Sequence, residues 1–210
     1  MSAPDFDHKT ARDFLNLRYH TSEPAALILG FIDGIYVPPG DADRFDAVFT
    51  CAQRERKDLF FHVSTLKPEW ADPLSHKRKK VTSASKNDAV LSDGTKSHVL
   101  KCPFVWLDCD CEKYGGNDQA EADAHYKLER DRVNKVLDDG LSSLDIVPLL
   151  KWCSGGGWQA LIKLDSPLPP ADAEEIVARL HVALGFDPCV RNCNRILRVP
   201  GSINWKGRVS

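Results

Sequence analysis

Cys102-Pro103-Phe104-Val105-Trp106-Leu107-Asp108-Cys109-Asp110 is an apolar run that closes on two carboxylates. Its length and its aromatic and β-branched residues predict a buried strand over residues 104–108. Strand residues two apart point to one face, so Asp108 and Asp110 stand side by side where the strand emerges. Two close negative charges repel, and each raises the other's pKa unless a cation lies between them. Oxygen donors suit hard ions, so Mg²⁺ or Mn²⁺ is the natural guest. Taken by itself, the pair also reads as a strand end running into an acidic surface loop. The case for chemistry rests on the rest of the chain.

C-terminal to the pair, the pattern predicts a helix capped by Asn117 and running to about Leu137. Ala120, Ala124, Leu128 and Val136 are among its small and apolar positions, and Asp139-Gly140 is its stop. Residues 146–153 read as a strand, Ser154-Gly155-Gly156-Gly157 as a turn, and residues 158–164 as a second strand. A helix follows over 169–184, with Ile176, Val177, Leu180 and Leu184 inward and Gly185 as its stop. A last extended segment spans about Arg195 to Pro200. The order is β-α-β-β-α-β, the split βαβ or ferredoxin-like pattern. In that topology the fourth strand lies beside the first, and one sheet face stays free for a site.

N-terminal to the pair, residues 8–17 form a short helix and residues 25–32 a buried strand. Asp43 caps a helix through Arg54 that carries Phe45, Val48 and Phe49, and residues 59–63 form another strand. Together these make a first αβ lobe. Residues 68–101 form a long polar connection holding the densest positive run, His76-Lys77-Arg78-Lys79-Lys80. A loop this long is usually functional or disordered. Lys77, Arg78, Lys79 and Lys80 read either as a solvated loop or as contacts to a phosphate backbone.

A chain of 210 residues suits one large domain or two small lobes. We expect a single domain over 1–210, with an N-terminal αβ lobe over about 1–100 and a catalytic half over about 101–210. The ending at Lys206-Gly207-Arg208-Val209-Ser210 fits a domain cut from a longer protein. The net charge of −2 gives no global pull on nucleic acid, so such a partner needs a local basic patch. The seven cysteines are odd in number and form no Cys-x-x-Cys pair, which disfavours a disulfide framework and fits a reducing cytosol. No signal peptide or membrane-length apolar run occurs, so the expected location is cytoplasmic, with no membrane partner.

Two further motifs carry chemistry. Ser154-Gly155-Gly156-Gly157-Trp158-Gln159 joins two predicted strands. Its glycines allow positive φ and close approach to a ligand, and its N–H groups can form an anion nest; it also reads as a plain hairpin turn. Beyond Asp187 comes Arg191-Asn192-Cys193-Asn194-Arg195-Ile196-Leu197-Arg198-Val199-Pro200-Gly201-Ser202-Ile203-Asn204-Trp205-Lys206. Its cations are interleaved with apolar residues, as in a strand facing phosphate. Strict alternation sets Arg195 and Arg198 on opposite faces, unless the strand bends or begins after Arg195.

These three motifs, in this order, resemble the archaeo-eukaryotic primase (AEP) superfamily, and most of all its primase-polymerase branch of phages and plasmids. The resemblance spans about residues 100–206; the first hundred match in general layout. It implies an α+β fold with two lobes, the catalytic half being RRM-like. It implies a template-directed nucleotidyltransferase, a DNA primase and polymerase of a phage or mobile element, working by a two-metal mechanism with two Mg²⁺ or Mn²⁺ ions. Asp108, Asp110 and Asp187 match the metal-binding carboxylates. Ser154, Gly155, Gly156, Gly157 and Gln159 match the nucleotide-holding motif. Arg195, Arg198, Asn204 and Lys206 match positions around the triphosphate. The implied partners are a single-stranded DNA template and an NTP or dNTP, with a helicase or helical priming module in a longer protein. One departure stands out: the second motif usually ends in His, and this chain has Gln159. Gln donates a hydrogen bond to a phosphate oxygen but cannot become cationic or act as a general acid.

Three rival readings frame the tests. A non-catalytic single-strand binder would use sheet-face aromatics such as Trp106 and Trp158. A metal-dependent nuclease, or a replication initiator with paired histidines and a nucleophilic Tyr, is the second, and no His-x-His occurs here. The third is a structural replisome domain active only through a partner.

Overall fold

The apolar run around Trp106 is a strand in the computed structural model, and a longer one than the run itself, Val99–Asp110. The model describes residues 7–19, 25–30, 33–71, 96–116 and 118–205. In chain order the elements are α1 (His8–Arg18), β1 (Ala25–Leu29), β2 (Asp33–Val37), α2 (Ala42–Arg54), β3 (Leu59–His62), β4 (Thr65–Leu66), β5 (Val99–Asp110), α3 (Gln119–Ser143), β6 (Leu150–Cys153), β7 (Gly157–Leu168), α4 (Pro170–Ala183) and β8 (Ile196–Arg198). Single 3₁₀ turns occupy Pro68–Ala71, Lys96–His98 and Pro188–Arg191. The second half therefore has the expected β-α-β-β-α-β order, in a mixed α+β fold. Two compact units divide the described residues: unit 1 holds those up to Lys101 and those from Asn194 on, and unit 2 holds Cys102–Cys193.

Unit 1 is built on an antiparallel sheet in the order β2-β1-β3-β8. β1 is buried at all five positions. It is shorter than the 25–32 run suggests, because Gly30 turns the chain at φ +65°, where only glycine sits without strain, and β2 returns alongside from Asp33. α2 is capped by Asp41 rather than Asp43: the Asp41 carboxylate accepts from Arg44 N at 2.9 Å, and Asp43 lies in the first turn. Phe45, Val48, Phe49 and Ala52 form its buried face.

The last strand departs from the ferredoxin-like expectation. β8 pairs with β3 in unit 1, Phe61 opposite Leu197, instead of lying beside β5. The cause is apolar matching: Phe61, Leu197 and Val199 are all fully buried, and Val63 N–H and Val199 N–H extend the pairing to Arg195 O and Leu59 O. The strand begins after Arg195, which removes the alternation conflict between Arg195 and Arg198. Lys77, Arg78, Lys79, Lys80, Asn117 and Lys206 lie outside the described residues.

In unit 2, β7 lies between β5 and β6, antiparallel to both. The register on β5 shifts between Cys102 and Phe104, flanking Pro103, which has no N–H for the ladder. α3 begins at an Asp118 cap, whose carboxylate accepts from Glu121 N at 2.9 Å. It buries Val133, Leu137 and Leu141, one stripe at i, i+4, i+8; Leu128 and Val136, though apolar, are exposed. The helix also runs through Gly140 to Ser143. A Cβ at Gly140 would meet only the flexible end of Leu184, with Cδ2 at 2.2 Å. α4 turns Ala173, Val177, Leu180 and His181 inward and leaves Ile176 outside. All seven cysteines are free thiols. No helix among the described residues is long and apolar enough to cross a membrane.

Candidate active site

β5 and β7 build the site together. Asp108 faces Gln159 and Asp110 faces Gly157 in the ladder. Residues 104, 106, 108 and 110 share a face, and burial falls along it: Phe104 and Trp106 are buried, Asp108 is half-buried and Asp110 is exposed. Trp106 donates its indole N–H to Val190 O at 3.0 Å. The 3₁₀ turn Pro188–Arg191 thus covers this face at Trp106, and the face opens at the two aspartates. On the other face Trp158, opposite Cys109, donates to Arg130 O of α3 at 2.9 Å. Trp106 is fully buried and offers no stacking face; Trp158 is partly buried, and Lys151 Nζ lies 5.2 Å from its ring centroid.

Gln159 is nearly buried, and its amide donates to Asp108 Oδ1 at 2.9 Å. That carboxylate is therefore oriented by the residue standing where the resemblance leads one to expect a phosphate-facing His. His181 supports the same point from below. Its Nδ1 lies 2.8 Å from Val177 O, and its Nε2 accepts from Asp108 N–H at 3.4 Å. These two contacts together require a neutral ring with its proton on Nδ1. The Asp108 N–H thus points away from β7, toward the β5 edge where the expected fourth strand would lie. Nothing in the sequence singled out His181, because a histidine on the inner face of a helix gives no signal of what it meets.

The glycine turn closes against β5. A Cβ on Gly157 would lie 2.1 Å from Cys109 O and 2.8 Å from Asp110 Cα, so only glycine lets β7 pass under Asp110. Gly155 holds φ +85°. Cys111 N–H donates to Gly156 O at 2.9 Å, and Ser154 Oγ donates to Gly157 O at 3.2 Å. Between the aspartates, burial and the two flanking carboxylates push the Cys109 thiol far up, so it stays neutral. Asp187 is exposed and caps the Pro188–Arg191 turn, accepting from Cys189 N at 2.8 Å; its carboxylate also raises the Cys189 thiol pKa by accepting a hydrogen bond from it.

Arg195, Arg198 and Asn204 belong to unit 1. Arg198 is buried and donates from Nη1 to Asp58 Oδ1 at 2.9 Å and to Ile203 O at 3.0 Å. Its guanidinium lies over the Phe60 ring, 5.0 Å from the centroid. The structure thus gives Arg198 a structural partner that sequence reading missed, since Asp58 lies 140 positions away.

As donors, Asp108 and Asp110 fit a hard divalent cation. Mg²⁺ commonly takes one or two carboxylates and completes its shell with water and substrate phosphates. Among the described residues no three His, Cys, Asp or Glu side chains group to hold a metal ion. Asp187 caps its own turn.

No protein-family model and no curated protein matches the chain. Among solved structures it is similar to the AEP domain of the cyanophage S-2L primase-polymerase, at 17% identity and a TM-score of 0.56, over 98% of this chain and 89% of that domain. The likeness spans both units and the strands that carry the aspartates, and it is a likeness of fold: this chain has the fold of an AEP primase-polymerase domain.

Proposed function

We propose that this chain is a template-directed nucleotidyltransferase, a DNA primase and polymerase of a phage or mobile-element replication system. The observation that carries the reading is the pair Asp108 and Asp110 on one open strand end, the first held by Gln159 and the second beside the glycine turn, in a fold shared with a primase-polymerase domain. Asp108 and Asp110 would hold Mg²⁺ or Mn²⁺. When bound, the divalent ions neutralise charge on the triphosphate and lower the pKa of the attacking hydroxyl.

Gln159 holds and orients the Asp108 carboxylate through Oδ1. The N–H groups of Gly155, Gly156 and Gly157 are the proposed phosphate donors of unit 2, joined by the Ser154 hydroxyl on giving up its bond to Gly157 O. Arg195, Arg198, Asn204 and Lys206 are those of the C-terminal segment, Arg198 while keeping its hold on Asp58. Asp187 serves as third carboxylate on giving up its cap to Cys189 N. The substrates are a single-stranded DNA template and a nucleoside triphosphate.

A gel assay on single-stranded DNA with labelled nucleotides, with and without primer, in Mg²⁺, Mn²⁺ or chelator, tests the reading. Metal-dependent extension that disappears in both Asp108→Asn and Asp110→Asn, with native circular dichroism retained, is the expected result. Undiminished extension by Asp108→Asn removes the assignment. Strand cleavage without nucleotides would assign the same carboxylates to a nuclease.

A further inference from the structure

The backbone of Asp108 faces the edge of its sheet. Its N–H points away from β7 and toward His181, so Asp108 and Gln159 form a non-hydrogen-bonded pair of the antiparallel ladder. Cys111, of the opposite parity, points its N–H the other way and bonds to Gly156 O, as the alternation requires. Side chains stand closest at non-hydrogen-bonded pairs, which is how the Gln159 amide reaches Asp108 Oδ1. The same geometry gives the Asp108 N–H no partner on β7. On the far edge, among the described residues, β5 pairs with a strand only at Val99 and Lys101, against β4. The strand that a ferredoxin-like sheet would set beside Asp108 is β8, and β8 pairs with β3. A backbone N–H shielded from water needs an acceptor. Here the His181 ring takes the place of a strand carbonyl.

His181 is fully buried on the inner face of α4. Its Nδ1 is bound to Val177 O, one turn back on the same helix. The ring is thus a strut, tied to α4 at one nitrogen and holding Asp108 N–H at the other. Asp108 is held twice, by its N–H through His181 and by its carboxylate through Gln159. We propose that His181 is a positioning residue of the divalent-cation site: through the backbone it fixes where the Asp108 carboxylate stands relative to Asp110. This rests on the assignment of Asp108 and Asp110 as cation ligands. His181 acts through Asp108, and not by touching the cation or the nucleotide. Groups that orient metal ligands are commonly worth about 10- to 100-fold in metal affinity. The contact is long, at 3.4 Å, which sets the expectation at the low end of that range. A histidine that only filled space would cost stability and leave cation affinity where it was.

Mn²⁺ binding to the full chain, read by electron paramagnetic resonance without nucleotide, is the test. The binding that Asp108→Asn removes defines the site. His181→Asn keeps a donor for Val177 O but is too short to reach Asp108, whereas His181→Gln brings an amide oxygen to where Nε2 stood. His181→Asn weakens Mn²⁺ at that site about tenfold, His181→Gln restores most of the loss, and His181→Asn adds nothing in the Asp108→Asn background. In the extension assay His181→Asn needs more Mg²⁺ for half-maximal rate, with the nucleotide KM at saturating Mg²⁺ unchanged. Urea unfolding of each variant keeps stability and affinity apart. In the unsubstituted chain, Mg²⁺ shifts the His181 Nε2 nitrogen resonance, and in Asp108→Asn it does not. Wild-type Mn²⁺ affinity in a folded His181→Asn overturns the proposal, and so does an equal loss in the Asn and Gln variants. A His181 resonance blind to Mg²⁺ overturns it whether or not the variants fold. A wild-type chain with no Asp108-dependent Mn²⁺ binding removes the cation reading itself, and this proposal with it.

Discussion

Removing Asp58 should unfold unit 1 far more readily than the loss of one surface acid would. Asp58 Oδ1 accepts from both Arg198 Nη1 and Trp205 N at 2.9 Å, and both charged side chains are less than a tenth exposed. Asp58→Ala therefore leaves a buried guanidinium without its counter-charge and a backbone N–H without its acceptor. Breaking a buried pair from one side costs about 3–5 kcal/mol. Against a typical total of about 5–15 kcal/mol, that is a large share. With a urea slope of roughly 2–3 kcal/mol per M, the midpoint falls by about 1–2.5 M. The double variant Asp58→Ala/Arg198→Met removes both charges and should recover most of the loss, because an apolar replacement of a buried pair is often close to neutral. Urea unfolding followed by circular dichroism and tryptophan fluorescence reads both numbers. A midpoint within about 0.3 M of wild type for Asp58→Ala, or a double variant no better than the single, would refute the buried-pair reasoning and return Arg198 to the list of uncommitted cations.

Gly157→Ala drives a Cβ to 2.1 Å from a backbone carbonyl, which the strand cannot yield without opening the β5–β7 ladder; a loss of about 1–3 kcal/mol in urea unfolding is expected. Gly140→Ala meets only the movable end of Leu184 and gains helix propensity, so its midpoint should stay close to wild type. Gln159→Leu leaves Asp108 Oδ1 without its donor, and the rate of nucleotide incorporation should fall about 10- to 100-fold with a higher Mg²⁺ requirement. Glu129 is held at a pKa of about 2, chiefly by the Arg132 guanidinium, below its ordinary 4.5. A lowered carboxyl pKa stabilises the fold above the unfolded value and loses that effect as pH falls. Stability measured between about pH 4.5 and pH 2 should therefore drop less steeply in Arg132→Ala than in wild type.

The order of elements in the second half was legible because each rested on local signals: an apolar run, a cap, a glycine. What escaped was whatever depended on a distant partner. β8 reads as a strand from Ile196-Leu197-Arg198, yet nothing local says that its mate is β3 and not β5; burial of Phe61 against Leu197 decides that. The buried stripe of α3, Val133, Leu137 and Leu141, was not picked out, because Ala120, Ala124 and Leu128 repeat at the same helical spacing yet are exposed, and spacing alone does not say which set is covered. Gly140 looked like a stop signal, and the helix runs through it.

The candidate site shows the same division. Asp108 and Asp110 share a face by strand geometry alone, so the sequence was enough to pair them. Gln159 looked like a weakened phosphate ligand when compared motif against motif. Its register opposite Asp108 gives it another task, because a side chain across an antiparallel ladder meets its partner before it meets a substrate. A His in that place would offer one ring N–H to the carboxylate and keep a second nitrogen for phosphate. Gln has two N–H on one nitrogen; one is on Asp108 Oδ1, and the amide cannot become cationic toward a phosphate. If the chain binds a triphosphate as proposed, the loss of a cationic side chain there would leave more of that task to the backbone N–H groups of the glycine turn and to the cations of the C-terminal segment. If so, Gln159→His should lower the KM for nucleotide without raising kcat, whereas an unchanged KM would mean that the amide already serves both partners.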